Sequence, residues 1–250
     1  MMPNISAAQP HAGTLVTVPS VDSSLVTRLI PGLLSVIAGS TDVIGFLGLG
    51  GVFTAHITGN LVILAAHIVT GHEAQIAAML SVPVFMAVLG ITRLLAGGLE
   101  WVGIATLRPL LLLQFVLLAN FLLARAAGGP GLDPHAALAI FAVMLGVAAM
   151  AVQNTLVQIS LKGAPPTAVM TTNITHFMMD ICEILLGRGA ESAAKARRRA
   201  KDTWPAIVGF AVGCAIGAAC EASFGLWSLT LPTGLALLAF AMAFADRRRY

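Results

Sequence analysis

Ser40-Thr41-Asp42-Val43, followed by Gly48-Leu49-Gly50-Gly51-Val52-Phe53-Thr54-Ala55-His56-Ile57-Thr58-Gly59-Asn60, decides how this chain is read. A carboxylate sits late in an apolar stretch, a glycine-rich link follows, and a polar Thr/Asn helix start comes next. A comparable run recurs later. It reads Val152-Gln153-Asn154-Thr155, then Gly163-Ala164-Pro165-Pro166-Thr167, then Thr171-Thr172-Asn173-Ile174-Thr175-His176. Polar side chains and broken backbone are costly in lipid and persist where they are buried in protein or line a cavity. Two such breaks about half a chain apart point to paired repeats with a binding site between them.

Working outward, the composition places both breaks in a membrane. Of 250 residues, 58% are hydrophobic and 10% charged, with a mean hydropathy of +0.91. Soluble domains carry about 25% charge, so an ordinary soluble surface is excluded. Six stretches are long enough to cross a bilayer, near 29–50, 76–98, 106–127, 136–160, 204–222 and 225–245. Two weaker ones lie near 54–71 and 168–187. The fold class is therefore an all-α polytopic membrane protein with six clear transmembrane helices and two short or re-entrant polar helices, in two pseudo-repeats.

The domain reading is a disordered tail over 1–26, a transmembrane domain over 27–246 and a basic tail over 247–250. Within the domain, repeat one covers about 29–127 and repeat two about 136–245. The loop Gly128-Gly129-Pro130-Gly131-Leu132-Asp133-Pro134 divides them. Residues 1–26 lack the basic and apolar regions of a signal peptide. The repeats align loosely. Matching Thr58 to Thr172 and Asp42 to Asn154 makes the second link two residues longer.

Charge placement favours one topology. Six of the fourteen Lys and Arg residues fall between Arg188 and Lys201, and Arg247, Arg248 and Arg249 close the chain. The run is short and free of aromatic residues, so it reads as a cytoplasmic loop and not as a nucleic-acid surface. Eight full spans would put 11 basic residues inside and 3 outside. Two re-entrant segments would put 13 inside and 1 outside, with inverted repeats of three spans each. The positive-inside rule favours the inverted layout, and both layouts place the N- and C-termini in the cytoplasm.

Several polar residues are candidates for chemistry. An ionised carboxylate in a membrane helix costs on the order of 3 kcal/mol, so Asp42 must face a cavity, pair with a cation or carry a proton. It is the candidate coupling-ion residue, with Asp180 as a second. Thr54, Thr58 and Asn60 begin one helix, and Thr172 and Asn173 the other. Such half-helix starts aim free N–H groups and partial positive charge at a ligand. His56 can carry a proton near neutral pH. His176, Asp180 and Glu183 share one helix face at i, i+4 and i+7, which suits a polar cavity wall better than a metal site. The candidate substrate-binding set is Thr54, His56, Thr58, Asn60, Asn154, Thr172, Asn173 and His176.

Cys182, Cys214 and Cys220 read as small apolar residues without metal-ligand spacing. Gln114 and Asn120 read as interhelical hydrogen-bonding groups. Gly209, Gly213 and Gly217 form a small-residue face for helix packing, either within the fold or between protomers of a homo-oligomer. Phosphate-loop and Gly-x-Ser-x-Gly patterns are absent, so neither ATP-driven transport nor serine hydrolysis has support, and no cofactor is expected.

Ala38-Gly39-Ser40-Thr41-Asp42-Val43, the run from Gly50 to Asn60 with Leu61, and Val152-Gln153-Asn154-Thr155 together resemble the DUF1275 family, the YoaK-like bacterial membrane proteins. The resemblance covers about 27–246. In the second half the family often carries Thr-Gly-Thr or Thr-Gly-Asn, where this chain has Thr172-Asn173-Ile174-Thr175. The resemblance implies a bacterial integral membrane protein, sometimes described as permease-like. The expected function is a small secondary permease of the bacterial cytoplasmic membrane that moves a small solute, with proton coupling at Asp42, and not an enzyme. Its partners are then the lipid bilayer and that solute. The rival classes are a lipid-modifying intramembrane enzyme, a channel and a non-transporting assembly partner.

Overall fold

A computed structural model describes residues 25–71, 75–187 and 189–245. The tails read over 1–26 and 247–250 lie almost wholly outside the described residues, as does Arg188. The described chain forms α1 (Leu25–Gly48), α2 (Ile57–Thr70), α3 (Ile76–Trp101), α4 (Leu107–Gly128), α5 (Ala137–Ser160), α6 (Met170–Leu186), α7 (Ala190–Phe224), a 3-10 turn (Gly225–Leu229) and α8 (Thr230–Ala245). Six helical segments, the last joining the 3-10 turn to α8 as Trp227–Ala245, are long and apolar enough to cross a membrane, and α2 and α6 are not among them. At 1.5 Å per residue, α2 reaches about 21 Å and α6 about 25 Å, short of a hydrocarbon core of about 30 Å.

Packing follows a two-fold pattern. α1 packs on α7 and α8, and its counterpart α5 packs on α3 and α4. α2 leans on α3 as α6 leans on α7, while α4 meets α8 and α1 meets α5 at the centre. Each of these helix pairs maps onto another of them, or onto itself, when the two halves are exchanged, while the 3-10 turn has no counterpart in the first half.

Contacts at the helix ends fix the direction of the repeats. Gln75, immediately before α3, donates to the Gly50 carbonyl just after α1. Arg125, near the end of α4, donates to the Gly48 carbonyl at 3.4 Å. The end of α1, the start of α3 and the end of α4 therefore share one face, and α2 enters and returns on that face. On the opposite face Thr106 bonds Ser160 at 2.8 Å, and Arg108 donates to the Ala243 carbonyl at 3.0 Å. The segment 163–166 before α6, Leu186 at its end and Arg199 of α7 all line one cavity there. So α6 also returns to its face of entry, and the halves are inverted. The basic residues of the second face include Arg93, Arg108, Lys162 and those of α7, while Arg125 lies on the first.

One expectation is corrected. The basic run read as a loop over 188–201 is helical from Ala190 onward, and α7 continues unbroken to Phe224. Ala, Lys and Arg are strong helix formers, and Glu191 pairs with Lys195 one turn on at 2.7 Å. The glycine run serves the fold itself. A Cβ on Gly213 would lie 2.3 Å from the Val36 carbonyl oxygen, and one on Gly209 2.7 Å from that of Gly32. Only glycines let α7 approach α1 this closely.

Candidate functional site

The first break is tied to α1 by one carboxylate. Asp42 is 3% exposed. Its Oδ1 accepts the backbone N–H groups of Thr54 and Ala55, each at 2.7 Å, and more weakly the Thr54 hydroxyl and the His56 backbone N–H. Thr54 and Ala55 belong to the link just before α2 (N-cap His56), and the positive end of the α2 dipole adds to the attraction. Asp42 Oδ2 lies 2.5 Å from His56 Nδ1. The His56 ring packs edge-on against Phe210 of α7, and its side chain keeps 40% of its exposure. Asn60, fully buried, closes the loop: Oδ1 accepts the Phe53 N–H, and Nδ2 donates to the Phe53 carbonyl and to Ser81. Gly50 and Gly51, at φ of 79° and 85°, supply the left-handed turn that re-enters the protein.

The second break is built alike with a neutral residue in place of the acid. Gln153 Nε2 donates to Thr167 Oγ1 and to the Leu34 carbonyl of α1, both at 2.9 Å, and Gln153 Oε1 accepts Gln114 Nε2 at 2.7 Å. Asn173 Nδ2 donates to the Pro166 carbonyl at 2.6 Å. Thr54 and Thr167 stand 113 positions apart, as do Asn60 and Asn173. This corrects the sequence pairing: Gln153 holds the place of Asp42, and Asn154 instead donates to the Met150 carbonyl of its own helix. Likewise Thr171, not Thr172, corresponds to Thr58.

The breaks differ in what remains unpaired. Phe53 offers Asn60 an N–H as well as a carbonyl, whereas its counterpart Pro166 has no N–H to give. Asn173 Oδ1 accordingly accepts no hydrogen bond among the described residues. Gln114 Oε1, by contrast, is buried without a partner among the described residues.

Beside the second break lies a cavity of about 810 Å³, open on the basic face. Residues 163–166, one side of α6 and the start of α7 line it. Asp180 is 4% exposed and accepts Arg199 Nε at 2.8 Å and Nη2 at 2.5 Å, while Glu183 takes the same guanidinium at 3.3 Å. His176 and Asp202 complete the polar wall. Cys182, read as a buried apolar residue, is exposed and lines this cavity.

The expected binding set is therefore divided. Asp42, Thr54, His56 and Asn60 gather at the first break, and Asn173, His176 and Asp180 at the cavity. Thr58 and Thr172 are exposed away from the buried ties. Along α1, Leu34 and Asp42 are eight residues apart, so the breaks meet this helix about 12 Å from one another. They approach the centre from opposite faces without merging into one chamber. Sequence reasoning missed Gln153, Thr167, Ser81 and Arg199 as members of these sites. Gln153 and Thr167 were visible in the second motif. Arg199 carried no signal, because its partners lie on another helix. Among the described residues no group of three or more His, Cys, Asp or Glu side chains could hold a metal ion.

On the opposite face the same helices close. Arg125 is 9% exposed and donates to the Gly129 carbonyl at 2.7 Å. Glu221 accepts Ser228 and lies against Gly48, where an added Cβ would come within 2.7 Å of its carboxylate. The void remaining among these groups is about 10 Å³.

No match is found among curated proteins, nor among solved structures. The family model for proteins of unknown function designated DUF1275 matches residues 30–242, spanning both breaks, the cavity and the helices that hold them. This multi-pass membrane protein belongs to the DUF1275 family.

Proposed function

We propose that the protein is a small secondary permease of the bacterial cytoplasmic membrane, with the basic face and both termini in the cytoplasm. The observation that carries this reading is the pair of inverted re-entrant half-helices, one of which starts beside an 810 Å³ cavity. Inverted repeats with polar broken helices at the core are the architecture on which alternating access operates. The arrangement corresponds to an inward-open state, closed on the far face by the Arg125, Glu221 and Ser228 cluster.

The two breaks then divide the work. The second, beside the cavity, receives the solute. The first holds the coupling proton on the His56–Asp42 pair. Asp42 accepts the backbone N–H groups of the link, so the moving proton is assigned to the imidazole, half exposed and in contact with α7. Proton transfer there alters the tie between α1 and α2 where α7 also packs. Asp180, engaged by Arg199, acts as a latch between α6 and α7 and not as the coupling acid.

Solid-supported membrane electrophysiology on proteoliposomes of the full chain tests this. Amines, carboxylates and neutral polyols would be applied as concentration jumps at several pH values. Wild type is expected to give solute-dependent currents that vary with pH, and Asp42→Asn and His56→Ala to abolish them. Flux indifferent to both substitutions would make the protein a channel. Folded wild type that moves no solute class would make it a non-transporting partner.

A further inference from the structure

The cavity at the second break carries more carboxylates than cations, beside the polar side chains of Asn173, His176 and Thr203. Asp180, Glu183 and Asp202 contribute three carboxylates to its wall against the single guanidinium of Arg199, which is already paired with two of them. At the inner end stands Asn173, 1% exposed and lining the cavity. Its amide orientation is fixed by chemistry: Pro166 offers only a carbonyl, so Nδ2 must turn toward it. Oδ1 is left facing away from its only backbone neighbour. At the first break the equivalent oxygen on Asn60 is satisfied by the Phe53 N–H at 2.8 Å. A proline at position 166 removes that donor, and the described residues supply no other. Asn173 Oδ1 is thus an acceptor that no donor among the described residues fills, beside a space open to a donor from outside.

From this geometry we infer that the cavity binds a small organic cation with an ammonium group. The ammonium donates to Asn173 Oδ1 and is balanced by the Asp180, Glu183 and Asp202 carboxylates. An ammonium has three donors and no acceptor, the complement of these carboxylates and of Asn173 Oδ1. The Cys182, Met179 and Leu186 side chains give the cation's carbon skeleton an apolar surface. The inference rests on the permease reading for its physiological meaning, since it names that solute's class, but binding is measurable without transport.

The test is equilibrium dialysis of radiolabelled butylammonium against the detergent-purified full chain, with butyrate and unlabelled ethylammonium as competitors. Saturable binding is expected, displaced by ethylammonium and untouched by butyrate. Asn173→Leu is expected to weaken it about tenfold. Asn173 also holds the Pro166 carbonyl, so Asp202→Asn, at an exposed wall position, provides a second variant and should weaken binding by a similar factor. Absence of saturable binding to folded protein, equal competition by butyrate, or undiminished binding in Asp202→Asn would each overturn the inference. Amine binding without flux would defeat the permease reading and leave this one standing. Flux of another solute class without amine binding would do the reverse.

Discussion

At the residue scale, Asp42 and Asn60 show how a polar group becomes tolerable inside a membrane protein. Neither stands free. Asp42 satisfies two backbone N–H groups at 2.7 Å, and Asn60 both donates to and accepts from Phe53. Asn60→Leu should therefore leave the Phe53 amide and carbonyl buried without partners and cost about 2 kcal/mol or more. A matching loss of resistance to denaturant in detergent would bear this out, and unchanged stability would not. Asp42→Asn keeps one oxygen for the backbone but loses the charge that His56 faces. It should stay folded, with a smaller penalty than Asp42→Ala, while its solute-driven current disappears. Comparing the melting curves of the two variants separates the structural task of this side chain from the proposed coupling task.

At the scale of the element, the approach of α7 to α1 controls whether the re-entrant helices have a frame to lean on. Gly209, Gly213 and Gly217 face Gly32, Val36 and Ser40 across that contact. Gly213→Val would place its Cβ at 2.3 Å from the Val36 carbonyl oxygen, a distance that only backbone movement could relieve. The cost should be at least about 3 kcal/mol, read as loss of the monodisperse peak on size exclusion. Gly90→Ala is the control, because a Cβ there meets nothing within 4 Å. If both variants behave alike, this close packing is not what holds the frame. The α6–α7 latch is the second such device. Arg199→Ala removes the guanidinium shared by Asp180 and Glu183. Crowded carboxylates would then repel, and the cavity wall should become more accessible to a thiol reagent at Cys182. An unchanged modification rate would show that the ion pair does not hold the wall.

At the scale of the whole molecule, inversion of the halves predicts opposite exposure for two otherwise similar positions. Thr70, at the end of α2, belongs to the face of Gly48 and Arg125. Lys162, before α6, belongs to the basic face. In a background without native cysteines, Thr70→Cys should react with an impermeant reagent from outside intact cells, and Lys162→Cys should not. Both positions avoid the strain of substituting Gly71 or Gly163, whose φ values are 71° and 87°. Labelling of Lys162→Cys alone would refute this arrangement in favour of eight full spans with parallel repeats or of the fold turned over, and labelling of both would fit neither layout.

What was legible in the sequence is what local chemistry dictates. Apolar length gave the six long helices, and the paired breaks gave two short polar ones. The burial cost of Asp42 and the Thr/Asn starts marked where helices begin inside the protein. The imbalance of Lys and Arg favoured inversion before any contact was known. Other features depended on groups distant along the chain. Gln153, not Asn154, holds the second link, because which of two adjacent side chains faces inward is set by packing around α5 and not by its composition. The basic stretch continues into α7 as one helix, and Asp180 and Glu183 of α6 receive its Arg199. The orphaned acceptor on Asn173 follows from the pairing of one asparagine with a proline seven residues back, seen against the same pairing with Phe53 in the other half. Sequence fixes which groups are costly to bury, whereas tertiary structure decides which of them find partners.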